Sequence, residues 1–228
     1  FDEHLRVRAK VYTKIKKVSP NKGWVEQDPQ EILHVSKQLL KQLIHDSGVR
    51  TQTIKGIGMT NQREATLLWD KTTGKPVYSV IGWEDTRTRA FCASLRKTSQ
   101  TIVRKLTGLS LDSYFSASKI VWIVNHVPRA KKLLQQNRLA FGTLDSWLIW
   151  NLCEGHPHLT DETNASRTLL FDIQKKTWSD QLLTVFHIPA SLLPSVVSSR
   201  SRFGVLVKEL LGTTIPVLAV CGDQQAST

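Results

Sequence analysis

The chain has 228 residues, enough for one large core or two small ones, and its apolar share of 40% is ordinary for a soluble globular protein. Lysine and arginine exceed aspartate and glutamate by twelve, but the basic residues are scattered. The modest clusters at 6–17 and 129–138 have no alternating aromatics, so solvated basic faces are expected rather than a nucleic-acid surface. No apolar run reaches the length of a membrane span, and no signal segment opens the chain. Cys92, Cys153 and Cys221 are odd in number and far apart, which fits a reducing compartment and a cytoplasmic setting.

In chain order, Leu5–Val7 and Ala9–Tyr12 predict a strand with charged alternation near a sheet edge. Residues 19–23 form a turn. Asp28-Pro29-Gln30-Glu31 predicts a helix start: Asp28 caps, Pro29 suits the first position, and Glu31 stands where a capping box places it. Ile32, Val35, Leu39, Leu43 and Ile44 give that helix an apolar stripe, and Gly48 ends it. Ile54–Met59 predicts a short buried strand. Thr66–Trp69 and Val77–Ile81 predict two strands around a turn at 72–74. Helices are expected over 87–96, 102–106, 119–126 (preceded by Ser116), 143–152 and 180–186, the last capped by Ser179. Strands are expected over 139–142 and 215–220, and Pro189 and Pro194 bracket an irregular segment. This mixture predicts an α/β fold.

Chemistry concentrates at strand ends, where open α/β sheets place ligands. Asn61-Gln62-Arg63-Glu64 follows one strand. Arg63 can donate to hydroxyls and Glu64 can accept from them, which suits a polyol. Taken alone, these four residues favour a solvated turn with a surface ion pair. Trp83 ends another strand and offers a flat face to a small carbon skeleton, or fills a core. The Tyr114 hydroxyl can reach a ligand, or the ring can cover a helix start. Gly222-Asp223-Gln224-Gln225 follows the last strand. Asp223 suits a general base toward an alcohol, and equally suits a cap on a helix starting near Gln224. Cys153 with His156-Pro157-His158 has a superficial metal pattern without a fourth ligand, so a surface turn is expected. Asn164-Ala165-Ser166 matches a glycosylation acceptor by chance.

A set of stretches in order along nearly the whole chain resembles the FGGY carbohydrate kinase family. They are 23–29, 60–64, 69–71, 73–76, Trp83 with 85–88, 107–109, 114–116, 141–150, 160–161, 163–168 and 222–225. The resemblance implies a ribonuclease-H-like α/β domain of the actin and sugar-kinase superfamily. It implies ATP and Mg²⁺ as cofactors, and the Asn-Gln-Arg-Glu loop favours the family's glycerol-phosphorylating members. It implies glycerol contacts from Arg63, Glu64, Trp83, Tyr114, Asp223 and Gln224, with Asp223 as base and as a ligand of Mg²⁺ through water. Homo-oligomers, as dimers or tetramers, are also implied.

Some family features stand outside the chain. Phe1-Asp2 resembles the point just after the family's phosphate-binding Asp-Gln-Gly-Thr-Thr hairpin, so a start before Phe1 is expected. A nucleotide domain is expected beyond Ser227, which makes residues 1–228 the amino-terminal, substrate-binding domain. Most nucleotide contacts then lie outside it, and the segment alone is expected to be inactive. Glu84 stands where relatives often carry a neutral residue. Another sugar or polyol kinase of the family, a non-catalytic glycerol binder and a basic nucleic-acid binder are the competing readings.

Overall fold

The computed structural model describes residues 1–227. In chain order the elements are β1 (Glu26–Gln27), α1 (Pro29–Ser47), β2 (Ile57–Asn61), β3 (Leu67–Asp70), β4 (Val80–Ile81), α2 (Arg89–Thr107) and α3 (Ser116–His126). Then follow α4 (Pro128–Gln135), β5 (Leu139–Gly142), α5 (Leu144–Leu152), β6 (Leu159–Asp161), α6 (Glu162–Ala165), β7 (Phe171–Asp172) and β8 (Thr177–Trp178). The last are α7 (Asp180–Phe186), β9 (Ser195–Val197), β10 (Gly204–Val205), α8 (Lys208–Leu211), β11 (Pro216–Gly222) and α9 (Asp223–Ala226).

The strand period of two builds two cores on opposite faces of one ribbon. β3 and β5 pair antiparallel, from Leu67 opposite Gly142 to Asp70 opposite Leu139. Leu68, Leu139 and Phe141 face a core shared with residues of α2, α3, α4 and α7. Leu67, Trp69 and Ala140 face a second core with residues of α1, α5 and β11. Helices cover both faces, as in other α/β folds.

The site is placed by a different pairing. β11 lies between β10, antiparallel, and β2, parallel. The β11–β2 register ends with Cys221 opposite Thr60 and Gly222 opposite Asn61. Both strands therefore deliver their following residues at the same edge. Gln62-Arg63-Glu64 emerges beside Asp223-Gln224.

Several expectations change. No strand forms over 5–12: Leu5, Val7 and Tyr12 are exposed, and alternation without a surface to bury one face gives extended chain. Asp28 caps α1 by accepting from Gln30 N at 2.8 Å, and Gly48 ends it at φ 63°. Glu31 accepts from Lys16 N at 3.4 Å instead of closing a capping box. The strand expected at 54–59 runs Ile57–Asn61 and is only half buried, because β2 is an edge strand of its sheet. The helices expected at 87–96 and 102–106 are one continuous α2. Thr98, Ser99 and Thr101 lie within it; Thr98 and Ser99 are tied by a side-chain hydrogen bond and Thr98 Oγ1 returns to Leu95 O, so the polar stretch does not break the ladder.

Candidate functional site

Arg63 and Glu64 do not form a solvated turn. Both are buried, and Glu64 holds a left-handed backbone at φ 62°. Its carbonyl receives Thr66 Oγ1 at 3.0 Å and Ser116 Oγ at 3.2 Å. Its carboxylate accepts from Arg167 Nε at 2.6 Å. Arg63 crosses to the other strand end. Its Nη2 donates to Gln224 Oε1, and its Nε lies 4.0 Å from Asp223 Oδ1. Gly222 makes this crossing possible, since a Cβ there would collide with Arg63 Cδ and Cγ.

Asp223 is the first residue of α9, one position before the expected start, and Gly222 rather than Asp223 takes the cap position; Asp223 Oδ1 accepts from Gln224 N at 2.8 Å. Its side chain also stays 54% exposed, so the carboxylate remains open to a ligand.

A buried polar net fixes the strand ends. Asp161 caps α6 by accepting from Thr163 N and Asn164 N, each at 3.0 Å, and it accepts from Ser199 Oγ at 2.7 Å. Asn164 and Asn61 exchange amide hydrogen bonds of 2.9 and 3.1 Å. Thr163 Oγ1 accepts from Gly222 N at 2.8 Å. This buried use of Asn164 leaves no accessible amide for a glycan.

Trp83 and Tyr114 complete one wall, with ring centroids 5.4 Å apart and planes tilted by 50°. Trp83 is 38% exposed. Burial pushes the Tyr114 phenol above its ordinary value, Glu64 adds to that, and Arg167 opposes it, so Tyr114 is a neutral hydroxyl near pH 7. The Arg167 guanidinium lies 4.9 Å from the Phe115 ring centre and 5.7 Å from that of Tyr114. The Glu84 carboxylate is paired with Lys17 Nζ at 2.5 Å.

All six residues singled out in the sequence thus converge, Trp83 through its contact with Tyr114. Arg167 was not among them, although it lies in the 163–168 stretch that carries the resemblance. Within the Cys153/His156/His158 pattern residues 154–156 form the exposed turn expected, while Cys153 is buried and His158 is drawn inward. His158 is packed against Trp69 and Trp150 and bonds Phe141 O at 2.8 Å, and burial pulls its pKa down to about 4. Among the described residues, no three His, Cys, Asp or Glu side chains gather as ion ligands.

A guanidinium, two carboxylates and an amide therefore meet at paired strand ends, with the phenol of Tyr114 and the indole of Trp83 carried on neighbouring loops. They can donate to, accept from and stack on a small polyhydroxylated molecule. Residues 1–228 match the family described as "FGGY family of carbohydrate kinases, N-terminal domain". The chain belongs to this FGGY family. It is 44% identical over 228 residues to the glycerol kinase of Alcanivorax borkumensis and 45% identical to that of Methylibium petroleiphilum. In each case all of this chain matches 46% of the relative, so the chain spans about half the length of these curated relatives. The crystal structure of Plasmodium falciparum glycerol kinase with ADP superimposes with a TM-score of 0.94 at 34% identity, covering 100% of this chain and 46% of that one. A xyloylose kinase from Brucella ovis, at 23% identity, shares the fold with a TM-score of 0.85 over 99% of this chain and 46% of its own. The ribonuclease-H-like FGGY fold expected from the sequence is the fold observed.

Proposed function

We propose that this chain is the acceptor-binding, amino-terminal domain of an ATP-dependent kinase that converts glycerol to glycerol 3-phosphate. The observation that carries this reading is the meeting of Arg63, Glu64, Asp223 and Gln224 at the aligned ends of β2 and β11. Identity of 44–45% to proteins named glycerol kinase supports glycerol as the acceptor.

In this reading Arg63 and Gln224 bind one hydroxyl, Glu64 accepts from others, and Trp83 and Tyr114 cover the carbon chain. Asp223 accepts the proton of the attacking terminal hydroxyl. That oxygen forms a bond to the γ-phosphorus of ATP as the bond to the ADP oxygen breaks. Such a transfer is governed chiefly by positioning and charge neutralisation. Arg63, held 4.0 Å from Asp223, orients the base while leaving its carboxylate open.

A single exposed carboxylate suits Mg²⁺ held with most of its own water, and the ion would supply neutralisation of phosphate charge. Asp223 is the residue that would hold it, through water. The nucleotide is assigned chiefly to a following domain, and the segment alone to negligible turnover. A cytoplasmic setting and a homo-oligomer complete the proposal. No helix among the described residues is long and apolar enough to cross a membrane.

The test is a competition of acceptors in the protein at its native length, with glycerol against pentuloses and hexonates. Preference for glycerol in kcat/KM by about two orders of magnitude or more is expected, since polar mismatches are strongly rejected by a site of paired donors and acceptors. Preference for a pentulose or hexonate would refute glycerol as the acceptor.

A further inference from the structure

Lys119 is a lysine with no exposed surface, lying one turn into α3. Burying an ammonium is costly, and such groups are normally paired with a carboxylate. Here Nζ instead turns to backbone carbonyls. It donates to Tyr114 O at 2.8 Å and lies 3.5 Å from Glu64 O. Those carbonyls belong to two residues of the acceptor site, carried on separate segments: the loop after β2 and the loop before α3. Ser116, three residues earlier on the same helix face, reaches the same Glu64 carbonyl. Glu64 has a left-handed backbone at φ 62°, a conformation that costs a non-glycine residue energy and so depends on its surroundings.

We propose that Lys119 is a positioning residue that joins Glu64 and Tyr114 through their carbonyls and so fixes the spacing of the acceptor site. The role of those two residues rests on the glycerol reading above, whereas the geometric link stands independently of it.

The groups around Lys119 are charged on several sides. Burial pulls its pKa down to about 7, while Asp85, Glu64 and Glu84 push it up and Arg87 pushes it down. Both protonation states retain hydrogens for two carbonyls. The link therefore does not depend on the charge.

The test uses Lys119→Met and Lys119→Gln in the protein at its native length. Methionine fills the space and removes the donor. Glutamine keeps an NH₂ on a shorter stem. A folded Lys119→Met protein is expected to raise KM for glycerol about tenfold, the cost of one buried carbonyl left without its donor, with kcat changed much less. Lys119→Gln should fall between. An unchanged KM in folded Lys119→Met overturns the proposal, as does a uniform loss of kcat without a KM change. Crystal structures of the variants give a second reading that needs no substrate. Glu64 leaving its left-handed backbone, or its carboxylate leaving Arg167, supports the proposal; retention of both in each variant overturns it. Should Lys119→Met fail to fold, Lys119→Gln carries both readings. If the unaltered protein does not use glycerol, the substrate assignment falls and the crystal structures alone decide the role of Lys119.

Discussion

At the scale of single residues, the space beside Gly222 decides how close Arg63 comes to Asp223. Gly222 has φ −62°, a conformation open to any residue, so Gly222→Ala tests contact rather than backbone freedom. Its methyl group would meet Arg63 Cδ and Cγ. The expected result is weaker glycerol binding, by about tenfold as charged hydrogen bonds are displaced, measured by calorimetric titration. Binding at the original strength would show that Arg63 can move without cost. Arg167→Met leaves the Glu64 carboxylate buried without its 2.6 Å partner. Because Arg167 is 24% exposed, water can partly replace it, and a stability loss of about 1–3 kcal/mol is expected in denaturant melts. The double variant Glu64→Gln with Arg167→Met should regain part of that loss. Arg63, Glu64 and Asp223 were legible as polar residues after apolar runs. The burial of Arg63 and Glu64 was not, because the partner of Glu64 lies 103 positions away and only the folded chain brings it near.

At the scale of elements, two helix caps with similar chemistry have different duties. Asp28 bonds Gln30 N alone at the start of α1. Asp161 caps α6 and also holds Ser199 and Asn164, which in turn holds Asn61. Asp28→Ala should lower stability by about 1 kcal/mol, the usual worth of a cap, and leave glycerol affinity alone. Asp161→Ala should lower stability further and weaken glycerol binding, because α6 anchors Gly222 through Thr163. Melting curves and titrations of the two variants check this. Equal effects on affinity would separate the α6 net from the site. The contrast also explains what could be read in advance. α1 and α7 carry local start signals and were legible nearly to the residue. The two-residue strands β1, β7, β8 and β10 were missed, and β4 is shorter than the strand expected over 77–81, because their pairing is set by distant segments. The expected strand over 5–12 failed for the opposite reason: the local pattern was present and the partner was not.

At the scale of the whole molecule, buried titratable groups give stability a pH signature. Lys119 falls from 10.5 to about 7 on folding, so between those values the unfolded chain holds the extra proton. Stability should therefore rise with pH across that window. Below it, His158, lowered from 6.5 to about 4, acts in the same sense, and Asp145, raised from 3.8 to about 6 by burial, acts against it. Above pH 9, Cys153, raised to about 11, also opposes the rise. Between pH 7 and 9 the melting temperature should rise relative to that of Lys119→Met, and parallel curves would contradict this. The most direct test of the account as a whole is glycerol-dependent ATP turnover by the native-length protein carrying Asp223→Asn, with glycerol affinity measured alongside. Asparagine keeps the Oδ1 that accepts from Gln224 N, so the start of α9 is preserved while the proton acceptor is removed. The account predicts a fall in kcat of about 10²–10⁴ with glycerol affinity nearly retained. Near-normal turnover would contradict it.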